Sequence, residues 1–81
     1  MATLRVLNGR GDTRITWSTE GLVQGDPEAL AAVREAERIF ARERARGSAA
    51  FRVRPDAPAE RLDALDPLAE DTVLIPPMVG G

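Results

Sequence analysis

The segment DPEALAAVREAERIFARERARG, residues 26–47, decides how this chain folds. It opens with Asp26 at an N-cap position, Pro27 at the first helical position and Glu28 in the first turn, a standard start signal for a helix. Its pattern runs to about Arg46 and stops at Gly47, a residue suited to the left-handed turn after a helix. Acidic residues lead (Asp26, Glu28) and arginines close (Arg42, Arg44, Arg46), in the sense the helix dipole favours. At 100° per residue Ala29, Val33, Ala36 and Phe40 share one face, with Leu30 on its border. A single apolar stripe needs a single packing partner, and the flanking sequence supplies a sheet.

Residues 2–17 read as a β-hairpin. Leu4 and Val6 alternate with Thr3 and Arg5, and Ile15 and Trp17 alternate with Arg14 and Thr16, the period of a strand with one buried face. Asn8-Gly9-Arg10-Gly11-Asp12 supplies the turn, since Asn-Gly favours tight hairpins. The Arg10-Gly11-Asp12 tripeptide, known as a cell-adhesion motif, reads here as turn chemistry. Ser18–Gly25 reads as a polar connection. Beyond the helix, Ala49–Arg54 is a third strand with Phe51 and Val53 inward and Arg52 and Arg54 outward. Pro55–Pro67 is a loop in which Leu62, Leu65 and Leu68 can pin a short strand or turn onto the core. Thr72–Ile75 is the last strand, with Val73 and Ile75 inward. The expected core is Leu4, Val6, Ile15, Trp17, Leu30, Val33, Phe40, Phe51, Val53, Leu65, Val73 and Ile75.

Strand, strand, helix, strand, short element, strand is an α+β order, packed most economically as one sheet covered on one side by one helix. The last strand is expected to insert beside the first, in parallel. This arrangement matches the β-grasp, or ubiquitin-like, fold: a mixed four- to five-stranded sheet with a helix across one face. Residues 1–75 would form the domain, and residues 76–81 an extended, flexible tail.

Composition narrows the chemistry. At 81 residues the chain is one domain with room for a core but little for a deep active-site cavity. Its stability should be roughly 4–12 kcal/mol. Eleven basic against thirteen acidic residues give a net charge of −2, which argues against general nucleic-acid binding. There is no cysteine and no histidine, so no thiol nucleophile, no disulfide and no imidazole base. No cofactor or metal is expected. Asp63, Asp66, Glu70 and Asp71 crowd a proline-rich loop, but their spacing fixes no cation site. The start of the chain carries no apolar run of signal-peptide or membrane-spanning length, so the expected setting is cytoplasmic, away from membranes. All eleven basic residues are arginine; without lysine, only the N-terminal amine could accept an acyl group.

The chain closes on Pro76-Pro77-Met78-Val79-Gly80-Gly81. The prolines lack N–H donors and hold the backbone extended. The glycines form a thread thin enough to enter a narrow channel. The stretch Asp71-Thr-Val-Leu-Ile-Pro-Pro-Met-Val-Gly-Gly81 resembles the end of the small sulfur-carrier subunit of molybdopterin synthase and its prokaryotic ubiquitin-like relatives. The resemblance covers about eleven residues; the rest of the chain agrees only in element order, and its long arginine-rich helix and Trp17 depart from the sulfur carriers.

The resemblance implies a bacterial protein that is a substrate rather than an enzyme. An E1-like enzyme, binding ATP and Mg²⁺ itself, would adenylate the Gly81 carboxylate. Gly80 would let the tail thread, Met78 and Val79 would be gripped, and Pro76 and Pro77 would keep the tail stiff. Three functions remain open: a modifier conjugated to protein amines, with E2-like or deconjugating enzymes as further partners; a sulfur carrier bearing a thiocarboxylate for molybdopterin- or thiamine-type biosynthesis; and a binding or assembly subunit without covalent chemistry. Two surfaces are candidates for partners. One is the helix ridge Arg34, Arg38, Arg42 and Arg46. The other is the sheet face away from the helix, expected to carry Arg5, Arg14, Arg52, Arg54 and Leu74. Trp17 is expected to pack in the core.

Overall fold

The computed structural model describes residues 1–8 and 11–77. Five strands and two helices follow one another: β1 (Ala2–Asn8), β2 (Gly11–Trp17), α1 (Thr19–Gln24), α2 (Pro27–Ala45), β3 (Ala49–Arg54), β4 (Ala57–Leu62) and β5 (Asp71–Ile75). The strands form one sheet in the order β2-β1-β5-β3-β4. β1 and β5 are parallel, and the other neighbours are antiparallel. The last strand therefore does insert beside the first, and the architecture is α+β and β-grasp-like. Gly9, Arg10 and Met78–Gly81 lie outside the described residues, and with them part of the expected hairpin turn and the end of the tail.

β1 and β2 pair without a break from Ala2↔Trp17 to Asn8↔Gly11, as their alternation predicts. α2 spans the expected residues, with Asp26 at the N-cap position but without a side-chain capping bond. The Asp26 side chain instead lies over Gly21, where a methyl group would meet it at 3.3 Å. The buried face of α2 is Ala29, Val33, Ala36, Ile39 and Phe40. Leu30, on the border of the stripe, is 38% exposed.

Two elements differ from the sequence reading. The connection after Trp17 contains α1, whose N-cap Ser18 accepts a 2.9 Å hydrogen bond from the Gly21 N–H. Gly25, with φ of 80°, ends this helix in the left-handed conformation, which costs glycine little. The loop after β3 contains β4, reached through a two-residue turn at Pro55-Asp56 (Arg54↔Ala57). Leu62 and Leu65 do pack against the core, whereas Leu68 is exposed. Trp17 is buried and its indole N–H donates to the Pro67 carbonyl at 2.8 Å, tying the segment before β5 to the end of β2.

The core corrects the strand faces. Leu74 is fully buried, in a core cluster with Ala2, Leu4, Val6, Trp17, Ala50, Val33 and Phe40. Register places Leu74 beside Val6 and Ala50, so it points toward the helix and not away from it. Ile75 is 39% exposed, and Ile15, Phe51, Val53 and Leu65 are half-buried. The cause is position: β5 lies between β1 and β3, and both Val73 on the open face and Leu74 on the helix face are buried, so its run Thr-Val-Leu-Ile carries no alternation to read.

Candidate functional site

The tail leaves from the middle of the sheet. β5 ends at Ile75, and Pro76 and Pro77 continue from it exposed. A residue before proline avoids the helical region, so Ile75-Pro76-Pro77 prolongs the strand direction rather than turning back. Pro77 passes the end of α2: a methyl group on Gly47 would stand 3.7 Å from its ring. Gly47 has φ of 98° and its N–H donates to the Arg44 carbonyl at 3.0 Å. The helix terminus and the base of the tail thus meet at a residue that closes the helix in the left-handed region. Met78, Val79, Gly80 and Gly81 are outside the described residues.

The open face of the sheet holds Arg5 and Arg14, as the sequence indicates, but not Leu74, Arg52 or Arg54. Pairing sets a row across this face: Arg14 beside Arg5, Arg5 beside Val73, Val73 beside Phe51, Phe51 beside Arg61. Two apolar side chains are therefore bracketed by arginines. Arg61 was invisible to the sequence reading because β4 was read as loop. The Arg5 guanidinium binds the Asp71 carboxylate at 3.1 Å, both side chains being about one-third exposed (36% and 34%). The second Asp71 oxygen is buried with no partner among the described residues. A shallow groove at the end of this face is lined by Thr3, Arg5, Arg14, Val53 and Asp71, among others.

Arg52 and Arg54 belong to a different cluster. Arg52 lies level with Thr72 and Glu60, on the helix side. It binds both Glu60 oxygens, at 3.0 and 2.9 Å, and Asp66 at 3.2 Å; Arg54 reaches Glu60 at 3.1 Å. The Arg52 hydrogen bond holds the Glu60 carboxyl below its ordinary value, and the same bond raises Arg52. Alternation of Phe51 and Val53 with two arginines suggested arginines facing water on the open side. The arginines instead point to the helix side, beyond the reach of α2, where carboxylates from β4 and the following loop neutralise them.

The acidic loop is likewise spent on pairing. Asp66 also accepts from the Leu68 N–H at 3.0 Å, and Asp63 lies 3.6 Å from Arg44. Among the described residues no group of three or more potential metal ligands comes together. On the helix ridge Arg38 is paired with Glu35, which lowers the Glu35 carboxyl and raises Arg38. Arg46 lies 3.6 Å from Glu43. Arg34 and Arg42 are exposed and have no ion-pair partner among the described residues.

No helix among the described residues is long and apolar enough to cross a membrane. Comparison with protein-family models, with curated proteins and with solved structures finds no match.

Proposed function

We propose that this chain is a ubiquitin-like modifier whose Gly81 carboxylate is adenylated by an E1-like enzyme and then conjugated to protein amines. The observation that carries the reading is the base of the tail. A β-grasp-like sheet ends its central strand at Ile75, and two exposed prolines follow it past the end of α2. A stiff, extended lead loses less entropy when it docks than a flexible one.

The chemistry requires little of the fold itself. The Gly81 carboxylate attacks the α-phosphorus of ATP and pyrophosphate leaves. The acyl-adenylate passes its acyl group to the partner's thiol or to an amine, and AMP leaves. The amine proton goes to a base on the partner, since this chain has no histidine or cysteine to take that role. The absence of lysine prevents the chain from becoming its own ε-amine target, which favours conjugation to other proteins over self-linkage. On this reading the row Arg14, Arg5, Val73, Phe51 and Arg61 is the face that meets the activating enzyme, an apolar centre with charged ends.

The test is ATP–pyrophosphate exchange with purified E1-like enzymes. The full chain should support exchange. A variant lacking Gly80 and Gly81 should keep its melting temperature and lose exchange completely. Full exchange by that variant refutes the proposal.

A further inference from the structure

The two edges of the sheet are built differently. β4 carries Pro58, and its register with β3 is irregular between Arg52 and Arg54. Both features stop an edge from adding another strand. β2 has neither. It pairs evenly with β1 along its whole length, and among the described residues no strand lies beyond it.

The direction of its free backbone groups follows from β1. The Thr3 N–H donates to the Glu70 backbone carbonyl oxygen at 2.9 Å, on the side of β5. Backbone groups alternate in direction along a strand. Thr3, Arg5 and Leu7 therefore bond toward β5, while Ala2, Leu4 and Val6 bond toward β2. Their β2 partners Thr13, Ile15 and Trp17 use their groups on β1. Asp12, Arg14 and Thr16 aim theirs away from the sheet, and all three are exposed. The helix does not close this edge. α2 packs on β2 from one face of the sheet but leaves its outer edge uncovered, where Asp12, Arg14 and Thr16 are exposed. Thr13, on the helix side, stays exposed.

We propose that β2 pairs with β2 of a second copy, antiparallel about a two-fold axis through Thr13, joining the two sheets into one. Charge selects both the occupant and the register. With the axis at Thr13, Asp12 of each copy stands opposite Arg14 of the other, and each such pair exchanges two backbone hydrogen bonds. With the axis at Arg14, the two arginines would oppose each other. Within one chain Arg14 already stands opposite Arg5, whose guanidinium is held by Asp71. Neither Asp12 nor Arg14 has an ion-pair partner among the described residues. A strand whose unpaired charges complement its own reversed sequence fits a second copy of itself, the self-complementarity a two-fold interface demands. The antiparallel arrangement places the two Ile75 ends of β5 at opposite ends of the joined sheet. The short edge makes the association reversible and dependent on concentration.

Sedimentation analysis of the full chain across micromolar to millimolar concentration tests this. The mass should rise from 8.7 kDa toward twice that value. Asp12→Arg and Arg14→Asp should each move the midpoint to at least about tenfold higher concentration, a factor of ten being about 1.4 kcal/mol. The double variant Asp12→Arg/Arg14→Asp should return it to the wild-type position. In the wild-type chain, amide exchange at Asp12 and Arg14 should slow as concentration rises, with Thr13 and Ile15 protected throughout. A mass of 8.7 kDa at every concentration overturns the proposal. So does a dimer indifferent to the single substitutions, a double variant that is not restored, or amides at Asp12 and Arg14 that stay unprotected in the concentrated sample.

Discussion

On the helix side of the sheet Leu4, Ala50 and Leu74 lose all contact with water. One residue along the same three strands, on the open side, Arg5 and Phe51 stay half-exposed, and Val73 keeps 8% of its surface. The strands and hydrogen bonds are shared, so the difference lies in what covers each face. α2 lays Val33, Ala36 and Phe40 over the first. The second is covered only by its own arginine stems, which can shield apolar neighbours while keeping the charge in water. The comparison teaches that burial by another element determines which face holds the fold together, and that the other face stays open to solvent.

Truncating the covered face should do the most damage. Leu74→Ala should cost about 2–5 kcal/mol, because the cavity lies among Val6, Ala50 and the helix and cannot fill with water. Chemical denaturation measures it; a loss no greater than that of Phe51→Ala would erase the distinction between the faces. Gly47→Ala should come next, at about 1–2 kcal/mol, since an L-residue resists the left-handed region. There is room for the methyl group beside Pro77, so a neutral result would mean that the helix end relaxes. Phe51→Ala should cost about 1 kcal/mol, less than the value for full burial, while weakening the encounter with the activating enzyme. Unchanged enzyme kinetics would remove the open face from the proposed interface.

The smallest effect is expected at the edge of the covered side. Glu60 has its carboxyl lowered from 4.5 by Arg52. A lowered carboxyl binds its proton less readily in the folded state than in the unfolded state. Its contribution is therefore present above the unfolded value of about 4.5 and fades as pH falls through the lower folded value. Glu60→Gln should flatten that part of the acid-unfolding profile and leave neutral-pH stability little changed, as expected of an exposed pair. A profile identical to wild type would show that the pair contributes nothing.

Much of the fold was legible because it rests on local signals. The Leu4-Val6 and Ile15-Trp17 alternation gave the hairpin, and Asp26-Pro27 through Gly47 gave the helix within a residue or two. α1 escaped because six residues interrupted by Gly21 cannot show helical periodicity, although Ser18 and Gly25 mark its ends. β4 showed only as a short strand or turn pinned by Leu62, because Ala-Pro-Ala-Glu-Arg-Leu has weak strand propensity and its proline is tolerable only at an edge. The faces of β3 and β5 were misread for a tertiary reason. A central strand is apolar on both sides, and Arg52 and Arg54 reach the helix side because Glu60 and Asp66 wait there. Arg61, the far end of the open-face row, could be seen only once β4 had been paired.

Intact mass of the chain recovered from its native host tests the central claim most directly. Activation at Gly81 predicts a population carrying a second protein, joined through an amide to that glycine. A population with one carboxylate oxygen replaced by sulfur would support the sulfur carrier instead. A single species of unmodified mass, in cells where the chain is abundant and its partners are present, would contradict the account.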